Sequence, residues 1–430
     1  NYNPLTLFML FTYIDFIKVS IVRQLIIMHR KHMSKLSIRD LWVILAGYLA
    51  AIHMGKLSVV LPILQKDLNL TLTQAGLSLS IVQGAGMLFA LSIGAFSEKL
   101  GLKRCLVFAL IIMGLSSLAG PWLDTVALLY FFRFIEGIGF LTISLCAPAI
   151  LKRISKPETI SFKMGLWSSY MGLGISFAVF TIPLLLEYLT WQNIWVILGI
   201  ACFVIALIIQ LFLNIDDSPQ TIKSPVPAAK DSLWQTIRIT LTHPPIICLA
   251  NAFACYTSQW IAVTGFLPSI YVETGLSLKT AGFLVSLVVL ANLGGTFGAG
   301  MLLQKGWTAQ KLLIIGFIGM FITSILTFTT NSWLAFEMQF LSAVLFSMIG
   351  GVIPTTILSM TLHYTPHINA AAASVGLLLQ CSASAQFFIP LFSAAFVSAT
   401  HTWASMSIVT SLLCLLGLFI MSLFFKRYAK

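Results

Sequence analysis

From Leu41 to Phe425 the chain repeats one pattern twelve times, an apolar stretch followed by a short turn. The stretches run over 41–64, 75–97, 104–121, 125–151, 161–187, 191–214, 246–271, 279–303, 309–329, 332–362, 368–397 and 402–425. An α-helix needs about 20 apolar residues to cross the hydrocarbon core of a bilayer, and most of these stretches reach that length. The pattern predicts an all-α membrane protein of twelve transmembrane helices. Composition points the same way. Only 9% of the 430 residues are charged and 58% are hydrophobic, whereas a soluble domain carries about 25% charged residues. Such a chain cannot cover a water-facing surface, which excludes a soluble enzyme, a disordered chain and a nucleic-acid-binding domain.

One polar interval, Ile215 to His243, divides the stretches six and six. It holds Asp216, Asp217, Pro219, Pro225, Pro227 and Asp231 and reads as a solvated linker. The expected organisation is a cytoplasmic leader over 1–40, a six-helix bundle over 41–214, the linker over 215–245, a second bundle over 246–425 and a tail over 426–430. Beyond residue 29, 19 Lys and Arg fall in the loops on one side, with only Lys66 and Lys279 in those opposite. The positive-inside rule then places both termini and the linker in the cytoplasm, as for a bacterial inner-membrane protein. Topology thus accounts for the net charge of +12 without a nucleic-acid partner. Residues 1–32 carry Asp15, Lys18 and Arg23 in an otherwise apolar run and no opening Met. They read as a disordered leader or over-extended frame, with Met33 the expected start, and an amphipathic surface helix or a thirteenth span as the alternatives.

Cys105, Cys146, Cys202, Cys248, Cys255, Cys381 and Cys414 lie in or beside apolar runs, with no CxxC pair and no His at ligand spacing. They read as small apolar side chains of helices. Neither a metal nor another cofactor is expected.

The two halves superpose in sequence at an offset of 206 residues. Pro62 falls on Pro268, Leu70 on Leu276, Leu72 on Leu278, Ala75-Gly76 on Ala281-Gly282 and Ser80 on Ser286. Farther along, Gly94 meets Gly300, Lys99 meets Lys305 and Pro148 meets Pro354. Apolar matches are cheap, but prolines, a loop lysine and an Ala-Gly pair holding one offset are not. Each half has six spans, so the repeat is parallel, about an axis along the membrane normal. Two such halves enclose a midplane cavity that rocking exposes to each side in turn.

Between the second and third spans stands Gly94-Ala-Phe-Ser-Glu98-Lys99-Leu-Gly101-Leu-Lys103-Arg104. It resembles the loop signature G-x-x-x-D-R-x-G-R-R of the major facilitator superfamily, with Glu for Asp and Lys for the first Arg. A degenerate copy, Gly300-Met-Leu-Leu-Gln304-Lys305-Gly306, occupies the repeat position. The resemblance implies that this loop is a conformational latch and that the fold is two pseudo-symmetric bundles of six helices. In the fourth span, Arg133-Phe-Ile-Glu136-Gly137 resembles the family's R-x-x-Q-G, with Glu replacing Gln. The fifth span lacks the Gly-Pro pair of the family's drug/proton antiporters. Ala147-Pro148 through Arg153, and Lys163-Met-Gly165-Leu-Trp167-Ser168, resemble the cyanate-permease and nitroimidazole-transporter branch.

Charges within spans mark candidate sites, because each costs on the order of 2.5–3.5 kcal/mol at a helix centre. Arg133 and Glu136 are i, i+3 neighbours able to pair on one face. The pair is either structural or, through Glu136, a proton-coupling site. Lys56 sits mid-span with His53 one turn away. It either faces a cavity, the preferred reading, or snorkels along its stem. The repeat partner of His53 is Gln259, followed by Trp260, so polar groups at one depth in the first and seventh spans suggest a shared cavity. His53, Lys56, Arg133, Gln259, Trp260 and Tyr170 are therefore the candidate solute-binding residues. Lys56 and Arg133 against Glu136 leave one excess positive charge, which favours an anionic or strongly polar solute.

The chain contains no Walker phosphate loop, so ATP-driven pumping by this chain alone is not expected. The reading is secondary transport of a small solute by a monomer in lipid, coupled to protons. Efflux of a hydrophobic compound, served by Trp167, Tyr170 and Trp260, is the alternative. A transporter-derived sensor is a poorer fit, for want of a soluble signalling segment, and nothing suggests an enzyme.

Overall fold

The computed structural model describes residues 36–215, 233–328, 335–366 and 370–428. The leader, with the expected start at Met33, and most of the linker lie outside those residues. All the regular structure described is helical. In the first half the spans are α1 (Ile38–Asp67), a second span built of α2 (Leu72–Ser80) and α3 (Gly84–Leu100), α4 (Leu102–Leu118) and α5 (Val126–Ile154). The fifth is α6 (Pro157–Ser168) with α7 (Tyr170–Leu185), and the sixth is α8 (Trp191–Phe212).

A short helix, α9 (Leu233–Leu241), lies in the linker. The second half comprises α10 (Pro244–Glu273), α11 (Leu278–Gln304), α12 (Ala309–Thr327), a tenth span of α13 (Phe336–Gly350) and α14 (Val352–His363), α15 (Ala371–Thr400) and α16 (Met406–Tyr428). Ten helical segments are long and apolar enough to cross a membrane, and α6–α7 makes an eleventh crossing bent by 41°. The remaining one, α4, has 17 residues, the short end of the spanning range. The twelve predicted spans are thus all present.

Local chemistry sets where the spans begin. Ser37, Thr71, Thr125, Thr190, Ser277 and Thr308 each accept a hydrogen bond from the backbone amide three residues on, satisfying one orphan donor of a helix start. Between α3 and α4 the chain turns at Gly101, with φ +97°, a conformation that costs a side-chain-bearing residue but not glycine. Side chains on the lipid face stay exposed and apolar, as at Phe108, Leu207 and Phe419.

The repeat is visible in the geometry. α1 and α10 have the same length, and their ends, like the starts of α2 and α11, keep the offset of 206. The indole of Trp191 donates to Asp67 at 2.8 Å, and that of Trp403 donates to Glu273 at 2.6 Å. The same bond thus ties the first helix of each half to its sixth. By the sixth span the offset has grown to 212, as Trp191 and Trp403 show.

Part of the linker is helical. α9 adjoins α15, and Ile237, Thr240 and Leu241 line a small hollow there with Ala373 and Leu377. Thr240 is buried at this contact, while Leu241 stays largely exposed.

Two seams join the bundles. Along one, the backbone oxygen of Ser286 in α11 accepts from the Ser176 hydroxyl of α7 at 3.1 Å, and Gly282 lies against Val179 and Pro183. Along the other, Gly76 of α2 lies against Ala394 and Pro390 of α15. These contacts sit toward the face opposite the linker, where Lys279 and Glu187 also pair across the bundles at 3.1 Å. Toward the linker face, Gly165 of α6 and Gly298 and Gly300 of α11 meet open space. The seam is closed at the face opposite the linker.

The second span is broken at mid-membrane by the 3-10 turn Ile81–Gln83. Gly137 of α5 packs against that turn so tightly that a β-carbon there would lie 2.1 Å from the Val82 carbonyl oxygen. Gly137→Ala must therefore push α5 off the turn. It is expected to lower stability by about 1–3 kcal/mol, read as a lower thermal midpoint of the detergent-solubilised protein; an unchanged midpoint contradicts this packing.

Candidate functional site: a buried charge cluster in the first bundle

Four of the sequence-predicted residues meet in one place. His53 and Lys56 come from α1, and Arg133 and Glu136 from α5. All four are at least 97% buried. Glu136 is the hub. Its Oε1 accepts from His53 Nδ1 at 2.6 Å and from Lys56 Nζ, while Oε2 accepts from Arg133 Nη1 at 2.5 Å. Arg133 Nη1 also donates to the His53 carbonyl at 3.1 Å, and Arg133 Nε has no partner.

Lys56 is held from three further sides. Its ammonium donates to Ser117 Oγ of α4 at 3.1 Å, lies 3.1 Å from His53 Nδ1, and sits 4.5 Å from the ring centre of Trp195 in α8. Ser117 in turn donates to the Trp195 carbonyl at 2.7 Å. The Cys202 thiol lies 3.4 Å from His53 Nε2. A proton on Nδ1 donates to Glu136 and leaves Nε2 free to accept from that thiol, so one histidine tautomer satisfies both contacts.

This geometry corrects the expectation that Lys56 faces a cavity between the bundles. Its partners lie on α4, α5 and α8, so the side chain points into its own bundle. Snorkelling is corrected as well, because Lys56 is 0% exposed. The cause is electrostatic: the carboxylate that can compensate the lysine stands on α5, and a charge buried without a partner is strongly destabilising.

Gln259 and Trp260 are likewise turned away from any shared cavity. Gln259 donates to the Cys255 carbonyl at 2.9 Å and accepts from the Cys414 thiol at 3.2 Å. Trp260 donates to Ser347 Oγ at 2.9 Å, inside the second bundle. Tyr170 stacks on Trp167, ring centres 4.4 Å apart, and its hydroxyl lies 3.1 Å from Ser144 Oγ.

In the loop motif, the side chains of Gly94, Glu98 and Lys99 lie outside the described residues. Gly101 makes the turn, Lys103 donates to the Gln210 carbonyl in the last turn of α8 at 3.0 Å, and Arg104 is exposed. Lys103 thereby satisfies a carbonyl at the negative end of a helix.

Sequence reasoning missed several participants. Ser117, Trp195 and Cys202 have no signature of their own, since only packing puts them around a lysine. Asp40 was hidden too. It is 0% exposed, accepts from the Ser37 amide and hydroxyl, and pairs with Lys163 of α6 at 2.7 Å. Its signal was available: Ser37-Ile-Arg-Asp40 has the spacing of a capping box.

Two repeated six-helix bundles joined along two seams, with charge buried inside one of them, are an architecture shared with known membrane transporters. The chain belongs to the Major Facilitator Superfamily, whose profile matches residues 43–388. The cyanate transport protein CynX of Escherichia coli (strain K12) is 23% identical over 376 residues, 85% of this chain and 91% of that protein. NiaP of Bacillus subtilis (strain 168), a candidate niacin/nicotinamide transporter, is 22% identical over 63% of this chain and 66% of its own length. Among solved structures, a bacterial homologue of the human lysosomal transporter Spinster superposes with a TM-score of 0.73 at 16% identity, covering 91% of this chain and 97% of that one.

The cluster makes a definite stability prediction. Removing the hub by Glu136→Gln leaves Lys56 and Arg133 as two buried cations without a counter-charge and is expected to cost about 3–5 kcal/mol. Lys56→Met leaves a balanced Arg133–Glu136 pair and is expected to cost clearly less. Denaturation of the two variants in the same detergent checks the order, and equal losses contradict the hub role of Glu136.

Proposed function

We propose that this chain is a proton-coupled secondary transporter that moves a small polar solute by alternating access. The observation that carries the reading is the convergence of His53, Lys56 and Arg133 on the single carboxylate of Glu136. Arg133 keeps its charge under all conditions, so proton exchange falls to the other three groups. Each proton gained or lost changes which bonds link α1 to α5. A change in those bonds shifts one helix against the other within the bundle that must rock, which is how a buried ionisable group drives a conformational step.

Three further features support the reading. CynX is a cyanate transport protein and NiaP a candidate niacin/nicotinamide transporter, both named for small polar solutes. The chain carries a repeat of the kind that alternating access requires. Its basic loops lie on the linker face, which argues for a cytoplasmic linker and termini in a bacterial inner membrane.

The test uses purified protein in liposomes with labelled cyanate, nicotinamide, nicotinate, xylose and glucuronate. A transported probe should accumulate under a pH gradient in the native protein. The double variant Lys56→Met/Glu136→Gln keeps the cluster's net charge while removing its exchangeable pair. It should lose pH-driven accumulation yet retain solute exchange across the membrane without a gradient. Accumulation that survives in the double variant makes the cluster structural and ends the coupling assignment.

A further inference from the structure

The intramembrane charges are drawn inside the first bundle, and the groups that bridge the bundles at mid-membrane are uncharged. Gln83, the last residue of the 3-10 turn in the second span, donates Nε2–H to Gln386 Oε1 of α15 at 2.9 Å. Gln386 Nε2 donates to Ser382 Oγ at 2.7 Å, and the Ser382 and Thr257 hydroxyls are 2.8 Å apart. Four side chains from the second, seventh and eleventh spans thus form one hydrogen-bonded chain across the interface. Nearby on α15, Gln380 donates to the Met87 carbonyl at 3.0 Å, while its buried Oε1 has no partner.

About one helical turn farther toward the closed face, Leu79, Ile261, Thr264 and Pro390 help line a cavity of ≈ 20 Å³ together with Gly55 and Ser58. That is room for one water molecule. The cavity lies on the same seam as the glutamine chain, with Leu79 and Pro390 four residues from Gln83 and Gln386 in sequence.

Buried amides and hydroxyls are costly unless hydrogen-bonded. Those on Gln83 and Gln386 satisfy one another only while the seam stays shut. When the bundles part, donors and acceptors are freed on both walls, and Gln380 Oε1 is already waiting as an acceptor. A solute with both donors and acceptors and no net charge can satisfy all of them. A carboxylate can use only the N–H and O–H donors, leaves the amide oxygens opposed, and loses its hydration without a cation on this surface.

We infer that Gln83, Gln380, Gln386, Ser382 and Thr257 form the solute-binding site, and that the solute is a small uncharged molecule of amide or polyol character. The inference rests on the transport reading above. It replaces the anionic solute expected from the excess positive charge, because that charge does not reach the seam.

The experiment measures uptake by liposomes containing the full chain, with probes in matched pairs: nicotinamide against nicotinate, and xylose against glucuronate. The uncharged member of at least one pair should be transported, with its charged counterpart at least tenfold poorer. Gln83→Leu and Gln386→Leu should each raise its KM about tenfold or more, the loss expected when a buried hydrogen-bond partner is removed. Gln386→Asn, which keeps the amide but shortens its reach, gives the same readout should a leucine variant fail to fold.

Preference for the charged members overturns the assignment, as does failure of every probe to be taken up or to shift thermal unfolding. An unchanged KM with a lowered maximal rate also overturns it, since the chain would then be only a gate. The two readings fail separately. Charged solutes driven by a pH gradient would leave the transport reading standing and sink the site. Uncharged solutes taken up without regard to the gradient would sink proton coupling and leave the site.

Discussion

One carboxylate, Glu136, answers two buried cations, and the first bundle is arranged around that imbalance. Lys56 and Arg133 each cost on the order of 2.5–3.5 kcal/mol at mid-membrane, and Glu136 is the acid that meets both. To bring them together, α1 must lie against α5 with His53 and Lys56 on its inner face. Ser117 and Trp195 then close the cluster from α4 and α8. The glycine next to the hub, Gly137, lets α5 approach the broken second span closely. That break presents Gln83 to the opposite bundle. Charge pairing, helix packing and the polar chain across the seam are thus consecutive parts of one construction.

The second bundle shows what the same wiring looks like without charge. In the first half His53 meets the Cys202 thiol, and in the second Gln259 meets the Cys414 thiol. Trp191–Asp67 and Trp403–Glu273 fasten equivalent helix ends in both halves. The halves therefore share a scaffold and differ in what they carry. Among the described residues the buried mid-membrane ion pairs lie in the first bundle, and the side chains that meet across the seam at that depth are amides and hydroxyls. On the proposed reading, this division separates the driving ion from the cargo.

Much of this was legible in the sequence. Apolar length gave the twelve spans, the positive-inside count gave the sidedness expectation, and prolines at a fixed offset gave the repeat. The Arg133–Glu136 pair was readable because i, i+3 spacing fixes it within one helix. Lys56 was not, because its partner is 80 residues away on another helix, and periodicity does not say which neighbour a face meets. The seam glutamines were passed over for a similar reason. Gln83, Gln380 and Gln386 are polar residues deep in apolar spans, which is a signal, but nothing local tells an inward amide from one that faces the other bundle. The helix α9 was masked by the polar composition around it. The sixth-span correspondences were hidden by the growth of the offset from 206 to 212, which a search at a single offset cannot find.

The claim at the centre of this account is that Glu136 and its basic neighbours exchange protons while buried. Infrared difference spectra of the purified protein, recorded across a step in pH, test it directly. The account predicts carboxyl bands that change with the step in the native protein and are missing from the Lys56→Met/Glu136→Gln double variant. Identical difference spectra for the two proteins would contradict it, leaving the cluster as a fixed structural knot.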